Sequence, residues 1–173
     1  MKTSSPDSIL RPLAGAGLQA YLSNAIQIAD ILDWILAQTG PSDITMTSFS
    51  ISEEFIRRIW FTRRAGNVRR FRLLLDHKAT QKTLRLWTFI AQTVDETFLA
   101  DNHSKFLIVS PVSGQPPVAV ITSQNLTRGN RYEAAVITTD PGVTRNLAES
   151  ADDLITYHSV PLNDLLAAKL GAD

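Results

Sequence analysis

Residues 101–136 read DNHSKFLIVSPVSGQPPVAVITSQNLTRGNRYEAAV, and their pattern decides how the chain is read. His103 and Lys105 stand two apart at the start of an apolar run, Lys105–Val109. In a strand that spacing aims both side chains to one face and Ser104 to the other. Pro111–Pro117 holds three prolines beside Ser113 and Gly114, and reads as a connecting loop. Val118–Thr122 is a second strand, running into Ser123 and Asn125, again at period two. Gly129 and Asn130 make a turn, and Tyr132–Thr138 is a third strand, with Glu133 at its opening. With these strands as neighbours, an imidazole, an ammonium, a hydroxyl, an amide and a carboxylate converge at one sheet edge. Such a set suits a phosphoryl group. Cationic and neutral donors hold its oxygens, and an imidazole is a nucleophile or proton donor near neutral pH. A carboxylate beside His103 would orient the ring and stabilise its charged form.

Upstream, Leu18–Gln38 carries apolar residues at three- and four-residue spacing and is predicted helical, with Gly40 and Pro41 as its stop. Asp43–Ser50 alternates and is rich in β-formers, so it reads as a strand. Ser50 and Glu53 have capping-box spacing for a helix ending near Arg64. Arg70–Asp76 is a second strand around Leu73, Leu74 and Leu75. Thr83–Val94 is predicted helical, Thr97–Ala100 a short strand, and Gly142–Tyr157 and Leu162–Leu170 the closing helices. Strands separated by helices imply parallel pairing. The expected fold class is therefore α/β, an α/β/α sandwich with a mixed, mostly parallel central sheet. Residues 1–12 are expected to form a mobile N-terminus and 13–173 a single domain.

The composition is that of an ordinary globular chain, with 44% apolar and 20% charged residues. There is no cysteine, which excludes disulfides and thiolate zinc sites. No apolar run approaches a membrane span, and the polar N-terminus lacks a secretory signal, so a soluble cytoplasmic protein without a membrane partner is expected. Net charge is zero, yet unevenly spread. Between Arg57 and Arg85 ten basic residues face Asp76 alone, +9, whereas the segment from Glu133 onward carries −5. A local positive field attracts anions, nucleic acid above all, and Arg57, Arg64, Arg70 and Arg128 are candidate substrate-binding residues. The plain alternative is a solvated face paired with the acidic tail. His77 reads as a strand-end histidine rather than a ligand, and Trp60, Trp87 and Phe89 read as helix core residues.

The segment with these motifs resembles the phospholipase D superfamily. His103-Ser104-Lys105 is similar to its HxK signature, Thr122-Ser123-Gln124-Asn125 to its GSxN element, and Glu133 falls where its downstream acid lies. Thr45–Ser52 resembles its first core strand, and the resemblance covers most of the chain after Asp43. Thr122 stands in place of the glycine, and Ser110 stands where the family has an aspartate after HxK. The resemblance implies a hydrolase, a phosphodiesterase weakened by that Ser110 replacement. It implies a two-step reaction through a phosphohistidine, with no metal and no small-molecule cofactor. His103 would be nucleophile or general acid, Lys105 and Asn125 phosphate binders, Ser123 a supporting donor and Glu133 the orienting carboxylate. Two HxK motifs are needed and this chain has one, since His77-Lys78 lacks the spacing and His158 sits in a helical tail. Members with one motif form a two-fold homodimer, and an isologous contact brings residues near the axis to their own copies. The basic segment favours nucleic acid over lipid, which points to a nuclease. The alternative from another class is a nucleic-acid-binding or assembly module on the same fold, without efficient chemistry.

Overall fold

The structure, a computed structural model, describes residues 5–170. The expected mobile stretch 1–12 therefore lies partly outside the described residues. The strands are β1 (Leu18–Ser23), β2 (Ser42–Ser48), β3 (Val68–Asp76), β4 (Glu96–Ala100), β5 (Phe106–Pro111), β6 (Val118–Thr122), β7 (Glu133–Thr138) and β8 (Ser159–Pro161). The helices are α1 (Ile28–Thr39), α2 (Glu53–Arg64), α3 (Thr80–Arg85), α4 (Trp87–Thr93), α5 (Pro141–His158) and α6 (Leu162–Leu170). All eight strands form one sheet in the order β1-β7-β6-β5-β2-β3-β4-β8.

The sheet corrects the expectation of a mostly parallel one. Only β2–β3 and β3–β4 pair parallel, where α2 and then α3 with α4 supply the crossovers. The other five contacts are antiparallel. The reason lies in the connections. No helix separates β5, β6 and β7, so each returns beside the last. The mixed α/β character stands.

A second correction concerns Leu18–Gln38. Its first part is the edge strand β1, paired antiparallel with β7, and α1 starts only at Ile28. Leu18, Tyr21 and Leu22 fit a helical period, but pairing with β7 overrides that local preference. Tyr21 and Ser23 point into the core while Leu18 and Leu22 remain exposed. α1 opens with a capping box between Gln27 and Asp30, and Gly40 ends it with φ +74°. The cap of α2 is Ser52, not Ser50: its side chain accepts from Phe55 N. Thr83–Val94 is broken at Leu86 into α3 and α4. Trp87 is more exposed than a core residue.

Registers fix what each face carries. Ile44 and Met46 of β2 sit opposite Phe71 and Leu73 of β3, and opposite Val109 and Leu107 of β5. Val118, Val120 and Ile137 continue the same face. With Ile31, Leu32 and Ile35 of α1 and Phe55, Ile56 and Ile59 of α2 they make the main core. On the other face α5 crosses β4, β5 and β6. It leaves Leu18, Leu22, Ile121 and Val136 exposed beyond its flank.

Ion pairs fasten α2 to the rim of the sheet. Arg63 reaches both carboxylate oxygens of Asp95, at 2.7 and 2.5 Å, while Phe71 N donates to Asp95 Oδ2 at 2.7 Å. Burial pushes the Asp95 carboxyl up, but the Arg63 guanidinium and the Phe71 N–H outweigh it and leave its pKa below the usual value. Asp43 is lowered by its hydrogen bond from Arg69, against some burial.

Two outcomes follow for stability. Phe71→Ala should lower unfolding free energy by about 3–5 kcal/mol in urea titration, since this fully buried ring would leave a cavity. Because the folded carboxyl of Asp95 titrates below its unfolded counterpart, its contribution is full above about pH 4 and is lost as pH falls through the folded value. Asp95→Asn should thus flatten the acid limb of a stability–pH curve while costing stability at pH 7; an unchanged acid limb would refute this account.

Candidate functional site

One edge of the sheet collects polar side chains from many strands. β2 and β6 end there and β5 and β7 begin there, because the antiparallel pairs reverse direction. Ser48 closes β2 and is fully buried. Its hydroxyl donates to Ser50 O at 2.7 Å, accepts from Leu126 N at 3.0 Å, and lies 3.4 Å from Asn125 Oδ1. His103 precedes β5, exposed, with its ring edge-on to Phe49 at 5.3 Å between centroids. Lys105 Nζ folds back to donate to His103 O at 3.0 Å. Ser104 turns the other way, donating to Asn102 Oδ1 at 2.5 Å and accepting from the Thr47 hydroxyl at 2.9 Å. Thr122 N donates to Lys105 O at 3.0 Å, which joins the β6 end to the same place. Ser123 Oγ donates to Glu133 Oε2 and accepts from Ala134 N at 3.1 Å.

His103, Lys105, Ser123, Asn125 and Glu133 therefore belong to one continuous strip of strand ends, linked by backbone pairing between β2, β5, β6 and β7. Beside it on β1, Tyr21 is buried. Burial, then the charges of Asp30 and Glu133, push its phenol up to about 12, so it stays neutral. The motifs are held by the β6–β7 loop, 123–132, which is fastened from below. Gln124 Nε2 donates to Ile26 O at 2.8 Å, Gln27 Nε2 to Gly129 O at 3.2 Å, and Ser52 N to Leu126 O at 2.9 Å.

The arginines expected to bind substrate do not all gather here. Arg57 pairs with Glu53 on its own helix and lies over the Phe89 ring. Arg64 stacks on Trp60, 4.8 Å from the ring centroid. Arg70 pairs with Glu96 near the start of β3, at the opposite edge of the sheet. Only Arg128 borders the site, and its guanidinium is 2.7 Å from Glu54. Of the basic run, Arg58 pairs with Asp30 and Asp33, Arg63 with Asp95, Arg69 with Asp43 and Arg72 with Asp152. The +9 segment is thus largely compensated by carboxylates placed elsewhere in the sequence, and among the described residues only Asp152 comes from the acidic tail.

A cluster that the sequence reading missed lies at the ends of β3 and β4. Asp76, His77 and Asp101 each offer one ligand atom, all within 4.8 Å of one another. Asp76 is buried and accepts from Lys78 N at 2.7 Å and Asn102 N at 3.0 Å; His77 Nδ1 is 3.2 Å from Ala100 O. Two carboxylates and an imidazole are a donor set that can hold a divalent metal ion. Its signal was an acid after each of two apolar strand runs, Leu73–Leu75 and Phe98–Ala100.

The same geometry corrects the expectation of a hydrolase weakened by Ser110. Ser110 pairs with Asp43 at the far end of β5, five residues and about 16 Å along the strand from Lys105. Among the described residues the acid–histidine grouping is Asp76, His77 and Asp101, not a serine-substituted motif, and nothing shows the defect attributed to Ser110.

No helix among the described residues is long and apolar enough to cross a membrane. No family model and no curated protein sequence matches the chain. Solved structures do. NucT from Helicobacter pylori superposes with a TM-score of 0.62 at 13% identity, covering 84% of this chain and 98% of that one. TrmBL2, described as an archaeal chromatin protein with a novel mode of DNA binding, gives 0.57 at 12% identity over 88% of this chain and 56% of its own. Phosphatidylserine synthase from Haemophilus influenzae Rd KW20 gives 0.58 at 12% identity, over 84% and 40%. At such identities the likeness is one of fold alone.

Proposed function

We propose that this chain acts on the phosphodiester backbone of nucleic acid, cleaving it without a metal ion at a site completed by two copies of the chain. The observation that carries this reading is the strip of strand ends bearing His103, Lys105, Ser123, Asn125 and Glu133. In the proposed reaction an imidazole nitrogen of His103 bonds to phosphorus while the bond to the leaving oxygen breaks. His103 of the partner subunit gives that oxygen its proton, then takes a proton from the water that opens the phosphohistidine. Lys105 and Asn125 hold the non-bridging oxygens, Ser123 supports them, and Glu133 orients the imidazole. Of the exposed apolar side chains on this face, Leu22 and Ile121 adjoin the strip and Val136 and Leu18 continue the patch away from it, offering the second copy a surface.

A second reading, binding without cleavage, is favoured by the fold shared with TrmBL2, whose description includes DNA binding. Nucleic acid is the partner under both readings.

Single- and double-stranded DNA and RNA incubated with the protein in excess EDTA separate the two. Cleavage should persist in EDTA and fall by about a hundredfold or more in His103→Ala, a loss typical of a missing nucleophile or proton donor. Cleavage abolished by EDTA would move the chemistry to a metal and sink the metal-free route. Binding without cleavage by a folded dimer would establish the second reading. Leu22→Glu should convert dimer to monomer in light scattering and abolish cleavage with it; a dimeric, active variant would rule this face out as the contact.

A further inference from the structure

The cations of this molecule fall into two groups. Most arginines of the basic run are held by carboxylates, as described above. Arg131 enters no ion pair among the described residues, and it stands two residues before Glu133 on the β6–β7 loop. That loop encloses a cavity of about 290 Å³ lined by Asn125, Thr127, Arg128, Asn130, Arg131 and Glu133. The lining thus joins Asn125 and Glu133 of the strip that carries the proposed chemistry to two guanidinium side chains and two polar ones. The floor is fixed, since Gln27 grips Gly129 through both its amide atoms, donating to the carbonyl at 3.2 Å and accepting from the N–H at 3.4 Å. Gln27 is itself fixed as the N-cap residue of α1. A cation on an anchored turn beside an open polar cavity loses little conformational freedom on capturing an anion.

We infer that this cavity seats a second phosphate of the same strand, the one next to the phosphate at His103. Arg131 is its principal ligand, and Arg128 joins when Glu54 releases it. The inference rests on the nucleic-acid reading of the His103 site and adds to it a minimum substrate: a strand with at least two successive phosphates. Binding energy is then drawn from a phosphate that does not react, the usual way a site rejects short substrates. Arg131, rather than the arginine run on α2 and β3, sets the affinity for a strand.

The test compares a single-stranded 12-mer with bis(p-nitrophenyl) phosphate, which has one phosphodiester and no neighbouring phosphate. Arg131→Ala should raise KM for the 12-mer by about tenfold, the loss of one charge-assisted contact. It should also reduce the slope of log affinity against log salt by about one. Turnover of bis(p-nitrophenyl) phosphate should be unchanged, and Arg131→Lys should recover most of the 12-mer affinity. Equal losses on both substrates would place Arg131 at the reacting phosphate or in the fold, and would overturn the inference, as would no loss on either. Should the wild-type protein cleave neither, the catalytic reading fails by itself. Fluorescence anisotropy of the uncleaved 12-mer then judges the cavity alone: an unaltered dissociation constant and salt slope in Arg131→Ala would overturn it.

Discussion

The hydroxyl of Ser48 is the point on which the site's geometry depends. It lies fully buried at the end of the central strand, where water cannot satisfy any group it leaves unpaired. By donating to Ser50 O and accepting from Leu126 N it locks the turn out of β2 to the loop after β6. That turn leads through the Ser52 cap into α2, and that loop carries Asn125. One short side chain thus couples the main helix of one face, the central strand and the polar strip. A larger residue there would meet the Leu126 backbone, and an apolar one would orphan an N–H.

How much of this was legible in the sequence depends on how local each cause is. β6 and α6 are found where periodicity places them, and β5 and β7 begin one residue later than expected. Their patterns are set by which side chains the sheet buries, and that is written in consecutive residues. β1 was not legible. Leu18 and Leu22 stay exposed on an edge strand, so their apolar character carries no burial signal that distinguishes strand from helix. Strand direction was not legible either, because it follows from which segments lack a crossover, a property of the whole topology.

The charge run shows the same limit. Ten bases in a short stretch look like an anion surface, yet Asp30, Asp33, Asp43, Asp95, Glu96 and Asp152 meet five of them from four other segments. Exposed pairs of this kind contribute little stability each. Their larger effect is on the field, since a paired guanidinium no longer attracts a distant phosphate as a bare one does. The Asp76–His77–Asp101 cluster escaped for a related reason: Asp101 is far from Asp76 and His77 in sequence and meets them because β3 and β4 are neighbours in parallel register.

The loop between β5 and β6 has a consequence for how such a chain can change. Residues 112–116 lie at the sheet edge away from His103 and Asn125, with Gly114 turning at φ +81° and most side chains exposed. The sequence distance between the two polar motifs is therefore decoupled from their distance in space. The hairpin can be lengthened, or can carry an inserted module, while its two strands stay in register. Such a tip is a natural point for grafting a targeting or assembly element onto the fold, and it leaves the opposite edge of the sheet chemically intact.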